Sequence, residues 1–511
     1  MLIRDRMGEK PLYYGWMGNA LVFGSELKAI EAYPGFSGKI DTRAVSAYLR
    51  FGCVPAPLSI YEEVSKLEAG EIVSVSLNLG RASERKLRYW RVPIPRPSSL
   101  SVDVATTVDQ CHEILKRAVR SRMQADVPLG AFLSGGIDSS TVTALMNDTG
   151  QGRVRTYSIG FEEKQHNESV YAAAVAKALG TQHEEMYVTA QDALHVVPDL
   201  PYLYDEPFAD SSQIPTYLLS KLTRRHVTVA LSGDGGDELF GGYTRYMQAR
   251  RLQVLYGTVP LAMRRMIAAV LKGLDNPSWD RACALAPRGF GVALSSDRLG
   301  KFADVVRLGG YREMYGHLVT HWRKPEFPGP TLPAWLTPLD DETLANAIPD
   351  PTSWMMYLDS VMYLPDEILV KVDRASMAAS LETRVPFLDH RVVEFAVGLP
   401  QSLKIRRGQG KWILRQVLYR YLDRKLVERP KQGFAIPIAS WLRGSLRDWA
   451  EGLLSRSALS ESGLLDPDPI LKAWRAHVSG RENHHYRLWV ILMLQSWLRR
   501  GRSTVVATQH A

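Results

Sequence analysis

Cysteine is scarce in this chain: Cys53, Cys111 and Cys283 are the three among 511 residues. Three scattered cysteines are too few for a disulfide framework, and without a CxxC pair they exclude the common zinc-binding patterns. We therefore interpret each of them as a structural residue of a protein from a reducing compartment.

Long apolar runs are absent as well, since no stretch of about eighteen uninterrupted apolar residues occurs. The first residues, MLIRDRMGEKPLYYG, carry charges where a signal peptide needs an apolar core. Together these absences predict a cytoplasmic protein with no membrane partner. The net charge of +9 is spread along the chain rather than gathered in a patch or arm, so nucleic acid is not expected as a partner.

Three regions can be distinguished along the sequence. Residues 1–91 contain a predicted hairpin over 11–24, where aromatic and branched residues flank the turn Gly18-Asn19. Because a lone hairpin is marginally stable in water, this first domain looks as if its beginning were missing. Residues 92–103 are rich in proline and serine and are interpreted as a linker. Residues 104–511 form the largest region.

The first part of the large region, about 104–245, alternates between apolar runs and helical periodicity. Strands are predicted at 129–133, 154–161, 183–188 and 226–231. Helices are predicted near 104–125, 168–180 and 213–225. This alternation predicts an α/β fold with a parallel sheet that is covered on both faces. From about 246 to 511 the pattern is helical, with a proline-rich break from Lys324 to Pro351.

The segment Gly130–Thr141, GAFLSGGIDSST, places glycines, serines and an aspartate between a predicted strand and a predicted helix. Backbone amides, hydroxyl groups and the helix dipole at such a junction favour a phosphate group. The alternative is an ordinary glycine turn. The segment lacks a Walker lysine, which excludes the usual kinase-type phosphate loop.

A second glycine-rich segment, Leu231–Tyr243, also follows a predicted strand and contains the acids Asp234, Asp237 and Glu238. Because ligands bind beyond the carboxyl ends of parallel strands, both segments are expected to face one cleft. The acids are explained either by a solvated turn or by a magnesium ion beside a triphosphate.

A third segment, Lys371–His390, has helical spacing up to Leu381 and then a proline-bounded turn. By itself it indicates only a packed helix with surface charges. In order along the chain, however, SGGIDSS, SGDGGDELFGGY, KVDRASMAASLETRVPFLDH and RPKQGFAIP resemble the synthetase domain of B-type, glutamine-hydrolysing asparagine synthetases.

The resemblance implies an ATP-pyrophosphatase fold of the adenine nucleotide hydrolase-like type, with a helical C-terminal part. The N-terminal stretches RDRMGEKPLYY and FGSELKAI resemble the last strands of that family's class II glutaminase domain. Residues 1–91 are then the β-rich remnant of such a domain.

The resemblance also implies site residues, carried over position by position. The implied ATP-binding residues are Phe132, Leu133, Ser134, Gly135, Gly136, Asp138, Ser139, Ser140, Ile159, Ser232 and Gly233. The implied magnesium ligands are Asp138 and Asp237. Lys431 matches a lysine that offsets charge on the transferring phosphate. Asp234 stands where many relatives have a glutamate linked to adenylate formation and to proton removal from ammonia, and Glu382 is a further candidate catalytic carboxylate.

The implied reaction has two steps, in which ATP activates the side-chain carboxylate of aspartate and ammonia then displaces AMP to give asparagine. The family obtains ammonia from glutamine through a cysteine directly after the initiator methionine, but Leu2 stands there in this chain. Glutamine hydrolysis is therefore not expected from this polypeptide alone. Cys53 has no spacing that suggests a nucleophile, and we expect it to be a buried thiol.

Two alternatives stay open. One is the same adenylation applied to another acceptor, as in β-lactam synthetases or in the amidation of a sugar or peptide. The other is a non-catalytic binding partner. The segment 205–220, DEPFADSSQIPTYLLS, is expected to line the acceptor pocket, with Ser211 and Ser212 as candidate contacts. The sequence does not fix the oligomeric state, for which a homodimer is one option.

Overall fold

Two small antiparallel sheets form the N-terminal region. The computed structural model describes residues 1–78, 81–96, 103–150, 152–161, 167–273, 302–323, 338–428 and 436–508. The strands of this region are β1 (Leu2–Ile3), β2 (Tyr13–Met17), β3 (Ala20–Gly24), β4 (Val64–Lys66), β5 (Glu71–Asn78) and β6 (Arg81–Arg88). Their spatial orders are β1-β5-β6 and β3-β2-β4. The predicted hairpin is confirmed as β2–β3, and its turn contains Gly18 at a φ of 62°.

A five-stranded parallel sheet positions the cleft. Its strands are β7 (Leu129–Phe132), β8 (Arg155–Phe161), β9 (Gln182–Val188), β10 (Val229–Leu231) and β11 (Glu382–Arg384). The spatial order is β11-β10-β7-β8-β9, and every neighbouring pair is parallel. All carboxyl ends therefore meet at one edge. The four predicted strands and the predicted parallel sheet are confirmed.

Helices cover this sheet and continue to the end of the described chain. The α-helices of the described residues include Leu27–Glu31, Thr42–Phe51, Val104–Arg122, Ile137–Asn147, Ser169–Leu179, Ala190–Val196, Leu200–Leu203, Gln213–Arg224, Gly236–Phe240, Thr244–Thr258, Leu261–Gly273, Tyr311–Leu318, Glu342–Ala347, Pro351–Leu358, Leu369–Ala378, His390–Gly398, Gln401–Lys404, Trp412–Leu418, Arg424–Val427, Ile438–Arg443, Arg447–Leu453, Arg456–Ser460, Pro467–Val478 and His485–Thr508. A π-helical segment spans Asp359–Ile368. No helix of the described residues is long and apolar enough to cross a membrane.

The predicted helices near 104–125, 168–180 and 213–225 are confirmed. The start of the first one, Val104–Arg122, is stabilised by an N-cap. The side chain of Asp103 accepts a hydrogen bond of 3.1 Å from the backbone amide of Thr106. Such N-caps satisfy one of the amides that a helix start leaves without a partner.

Two predictions were wrong in detail. Helical spacing was predicted up to Leu381, but the helix ends at Ala378 and Glu382–Arg384 forms the edge strand β11. The proline-rich break was predicted to extend to Pro351, but Glu342–Ala347 is helical because Asp341 caps it. The part of that break at 324–337, and the linker residues 97–102, lie outside the described residues.

The N-terminal region packs directly on the rest of the chain. Tyr48 is fully buried, and its hydroxyl donates a hydrogen bond of 2.7 Å to the carbonyl of Val490. The backbone amide of Leu27 donates to Asp205 over 2.9 Å. The predicted buried thiol of Cys53 is confirmed, and burial raises the pKa of that thiol well above its ordinary value.

One buried lysine of the helical region leads to a stability prediction. Lys404 is 4% exposed, and burial lowers its pKa from 10.5 to about 8 against the opposing effect of Asp350. One pKa unit corresponds to about 1.4 kcal/mol, so the charged ammonium costs the folded state about 3 kcal/mol.

We expect Lys404→Met to stabilise the protein by about 3 kcal/mol below pH 8, where Lys404 is charged in both states. The gain should shrink as the pH rises from 8 towards 10.5, because the folded state then holds a neutral amine while the unfolded state stays charged. Calorimetric unfolding of both proteins across this range is the measurement. A gain that does not change with pH would contradict the assigned cause.

Candidate active site

The first glycine-rich segment joins the end of β7 to the helix Ile137–Asn147. Gly135 has a φ of 72°, and a Cβ there would lie 2.7 Å from the carbonyl carbon of Tyr171. A side chain is therefore excluded at this position both by conformation and by space. The hydroxyl of Ser139 lies 3.0 Å from the hydroxyl of Ser134. It also accepts a hydrogen bond of 3.2 Å from the backbone amide of Ser134. The loop is thus closed around the start of the helix.

The second glycine-rich segment joins β10 to the helix Gly236–Phe240 and packs against the first. A Cβ at Gly233 would lie 2.8 Å from the backbone nitrogen of Ser139. A Cβ at Gly236 would collide with the carboxylate of Asp138. These two glycines therefore let the loops touch, and β7 and β10 are neighbours in the sheet. The expectation that both segments face one cleft is confirmed.

A buried lysine links the carboxylates of the two segments. The ammonium of Lys411 forms ion pairs with Asp138 and with Asp237, the latter over 2.7 Å. Burial alone would lower the pKa of Lys411, but the two carboxylates outweigh it and raise that pKa. From the sequence, Lys411 was named only as an alternative to Lys431.

A second buried lysine lies beside the acceptor segment. The ammonium of Lys371 donates a hydrogen bond of 2.7 Å to Asp210. Asp234 accepts a hydrogen bond from the hydroxyl of Ser232. Burial raises the pKa of the Asp234 carboxyl, against the opposing charge of Lys371. Lys371 was likewise named only as an alternative to Lys431, and Asp210 was not assigned to the site, although both lie in segments that the sequence singled out.

One cavity of about 1700 Å³ lies over the strand ends and brings most of the predicted residues together. The predicted residues that line it are Phe132, Leu133, Ser134, Gly136, Asp138, Ser139, Ile159, Ser211, Ser212, Ser232, Gly233, Asp234 and Asp237. Lys371, Lys411 and Asp210 line the same cavity. It is larger than the ~300–1,000 Å³ typical of a site for one small molecule, so it has room for a nucleotide and a second substrate.

Three predicted residues that the structure describes are not part of this lining, and a fourth, Lys431, cannot be placed. Gly135 shapes the first loop from behind, and Ser140 is fully buried in the first turn of the helix. Glu382 is exposed, pairs with Arg384 over 2.7 Å and begins β11, so it lies at the amino end of its strand, away from the cleft. The expectation that Glu382 acts in the cleft is therefore not supported. Lys431 lies outside the described residues.

The carboxylates of the cleft fit a magnesium ion that arrives with a nucleotide. The described residues contain no group of three or more histidine, cysteine, aspartate or glutamate side chains that would form a closed metal site. Asp138 and Asp237, however, share one cationic partner. Magnesium is commonly held by one or two carboxylates together with phosphate oxygens and water, which is the donor set that this pair offers.

Gly242 is expected to be essential for this arrangement. A Cβ at Gly242 would collide with the carboxylate of Asp237 and with the side chain of Lys411. We expect Gly242→Ala to destabilise the protein by about 1–3 kcal/mol, as overpacked substitutions do. Calorimetric unfolding measures this. The matched control is Gly257→Ala, a helical glycine with open space around it, for which a gain of up to about 1 kcal/mol is expected. Equal stabilities of the two variants would contradict the packing argument.

Comparison with known proteins identifies the family. The family model described as Asparagine synthase matches residues 110–499, and the model described as Glutamine amidotransferase domain matches residues 1–90. The putative glutamine-hydrolyzing asparagine synthetase of Mycobacterium tuberculosis is 33% identical over 502 residues, which are 97% of this chain and 73% of that protein.

Two further relatives show the spread of the similarity. Glutamine-hydrolyzing asparagine synthetase 1 of Bacillus subtilis is 28% identical over 497 residues, which are 97% of this chain and 74% of that protein. A protein of Gibberella zeae named Amidase chry2 is 25% identical over 503 residues, which are 91% of this chain and 71% of that protein. The chain therefore belongs to the asparagine synthetase family of ATP-dependent, amide-forming ligases.

Proposed function

We propose that the protein converts aspartate to asparagine through a β-aspartyl adenylate, with ammonia as the nitrogen donor. The observation that carries the proposal is the contact between two glycine-rich loops at neighbouring strand ends, which brings Asp138 and Asp237 onto one ammonium group. Such a junction of strand ends and a helix start suits a polyphosphate with its cation.

In this proposal ATP lies across the carboxyl ends of β7, β8 and β10. The pyrophosphate part contacts the loop 134–140, and adenine and ribose contact Phe132, Leu133, Ile159 and the start of the second loop. Asp138 and Asp237 would hold magnesium. When bound, that ion offsets the negative charge of the triphosphate during attack by an anionic carboxylate.

The acceptor carboxylate lies beside the segment 205–220, six of whose residues, Ala209, Asp210, Ser211, Ser212, Thr216 and Leu219, line the cavity. An oxygen of that carboxylate attacks the α-phosphorus, and the bond from this phosphorus to the bridging oxygen breaks to release pyrophosphate. Adenylation is needed because a carboxylate is a poor electrophile. Lys431 is proposed to offset charge at the phosphorus during this step.

Ammonia then attacks the activated carbonyl carbon, the carbon–oxygen bond to AMP breaks, and the nitrogen loses a proton. Asp234 is proposed to accept this proton, because it is a half-buried carboxyl that lines the cavity near Lys371. In the pH range above its raised pKa it is an anion suited to that task.

A second candidate function is amidation of another carboxylate. Two observations keep it as a candidate beside aspartate: the cavity of about 1700 Å³ and the similarity to a relative named as an amidase. A non-catalytic binding partner is disfavoured, because the buried ammonium of Lys411 pairs with the half-buried carboxylates of Asp138 and Asp237, an arrangement that a catalytically inactive chain has no chemical reason to keep.

Pyrophosphate release from ATP tests all three functions in one experiment. The purified chain is given ATP, magnesium and ammonium with aspartate, glutamate, malonate, a β-amino acid, an amino sugar acid or no carboxylate. We expect aspartate to stimulate release most strongly and asparagine to accumulate with it. Stimulation by a different carboxylate supports the second candidate, and no stimulation by any of them contradicts both enzymatic proposals. Replacing ammonium by glutamine identifies the nitrogen source.

A further inference from the structure

Lys411 has a strained backbone and closely packed surroundings, although the proposed reaction assigns it no task. Its backbone is left-handed, with φ 56° and ψ 34°, immediately before the helix Trp412–Leu418. Residues other than glycine adopt this conformation at a cost, and such strain concentrates at functional sites. The amide of Lys411 donates a hydrogen bond of 3.0 Å to the carbonyl of Phe240, which holds the strained backbone in place.

Glycines on both sides let the lysine reach the carboxylates. A Cβ at Gly410 would collide with the carbonyl of Gly241, and a Cβ at Gly242 would collide with the side chain of Lys411. The turn before Lys411 therefore packs backbone against backbone on the end of the second loop. Lys411 is 6% exposed, so its ammonium is directed inwards to Asp138 and Asp237 rather than left on the surface.

We propose that Lys411 occupies the divalent-cation position between Asp138 and Asp237 in the nucleotide-free enzyme, and that the cation entering with ATP displaces it. The ammonium nitrogen lies 2.7 Å from Asp237, and a magnesium ion sits about 2.1 Å from its oxygen ligands. The two cations would therefore compete for the same oxygens. This inference rests on the metal assignment in the proposed function.

Charge explains why the exchange would depend on the nucleotide. Without ATP, Lys411 already neutralises much of the charge of the two carboxylates, so a bare cation gains little by entering. A triphosphate brings about four negative charges and further oxygen ligands to the cation. The cation is then favoured at the carboxylates, and the displaced ammonium stays in the cavity, where phosphate oxygens are available to it. Lys411 thereby couples metal binding to nucleotide binding.

Binding of Mn²⁺ to the nucleotide-free chain tests this competition without any catalytic readout. Free Mn²⁺ is measured by electron paramagnetic resonance during titration. We expect Lys411→Met, which keeps the length of the side chain and removes its charge, to bind Mn²⁺ at least tenfold more tightly than the wild type. Lys404→Met removes a buried lysine outside the cleft and is expected to leave Mn²⁺ affinity unchanged. The proposal would be overturned if Lys411→Met bound Mn²⁺ no more tightly than the wild type while Asp237 was still needed for that binding.

The double variant Lys411→Met, Asp237→Asn separates this inference from the metal assignment itself. We expect it to lose the tightened Mn²⁺ binding. If it keeps tight binding, or if Lys411→Met binds no Mn²⁺ even with ATP present, the assignment of Asp138 and Asp237 as metal ligands fails first. If the carboxylates bind Mn²⁺ but Lys411 has no influence on the affinity, only the present inference fails.

A measurement on the wild type makes the test independent of how the variants fold. Lysine acetylation by a water-soluble reagent, followed by mass spectrometry, reports how accessible the Lys411 amine is. Because a bare cation competes only weakly with Lys411, MgCl₂ is raised until it saturates the site, and acetylation of Lys411 is then expected to rise at least threefold, but not in KCl of the same ionic strength. Lys425, which is exposed, serves as the internal reference. Unchanged acetylation of Lys411 at magnesium concentrations that saturate the site would overturn the proposal.

Discussion

Asp138→Asn and Asp237→Asn are each expected to lower pyrophosphate release by about a thousandfold, the scale of losing a preorganised electrostatic contact at a reacting phosphate. Each substitution removes one negative charge at nearly constant volume. Both carboxylates line the cavity and share the Lys411 ammonium, so each variant leaves a single acidic ligand for the cation. Coupled detection of pyrophosphate with ATP, ammonium and aspartate measures the effect.

The fold should survive both substitutions. Because Lys411 pairs with both aspartates, either variant leaves its buried ammonium one carboxylate, and the penalty for an unpaired buried charge is avoided. The matched control is Asp341→Asn, an exposed helix cap that accepts hydrogen bonds from Thr343 and Leu344, for which asparagine is an equally good cap. Near-normal turnover in Asp138→Asn or Asp237→Asn would remove that residue from the metal site.

The α/β core could be predicted from the sequence because its signals are local. Buried parallel strands have continuous apolar runs, as in Val229–Leu231, and the helices between them have clear periodicity and caps. Once a parallel sheet is predicted, topology places everything that follows a strand at one edge. The position of the cleft and the meeting of Asp138 with Asp237 follow from that step.

Strand β11 could not be predicted, because its three residues, Glu382–Arg384, are too few and too polar to show a strand pattern. They are a strand only because Val229–Leu231 offers a free parallel edge. Glu382 was assigned from its sequence motif, without knowing at which end of a strand it lies. Since the residue begins the strand, the same topological rule that supports Asp138 argues against Glu382.

Lys411 shows the limit of sequence reasoning at the site itself. Its partners Asp138 and Asp237 are 273 and 174 positions away, and no local pattern connects them. The arrangement needs a left-handed lysine and glycine backbones on both sides of a contact between distant turns. A signal did exist, in the glycines of FGGY and GQGK. Paired glycines in two turns indicate close backbone approach, but not to which partner.

The remaining large effect concerns Lys431, whose role is inferred from RPKQGF alone. We expect Lys431→Ala to lower the rate of adenylation by roughly a hundredfold or more while ATP affinity changes only a few-fold, since the contact is made with charge that develops during the reaction. Removal of an ordinary surface lysine would instead change the free energy of unfolding by less than about half a kcal/mol and would not change turnover.

Chain connectivity allows this role. Glu428 is the last described residue before the segment and lines the cavity. Three extended residues span at most about 10 Å, so a long side chain three positions later is within reach of the cleft. The matched control is Lys425→Ala, which removes an exposed lysine from the preceding helix Arg424–Val427 and is expected to leave adenylation unchanged.

ATP–pyrophosphate exchange with aspartate, measured beside equilibrium ATP binding, separates a transition-state role of Lys431 from a binding role. Lys431→Arg is expected to restore little exchange, because a planar guanidinium differs in reach and geometry from a compact ammonium. Near-normal exchange in Lys431→Ala would pass the role to Lys371 or Lys411, both of which line the cavity. Of these two, Lys411 would be favoured, because a cation entering with ATP at Asp138 and Asp237 leaves its ammonium beside the phosphate loop, whereas Lys371 is held by Asp210.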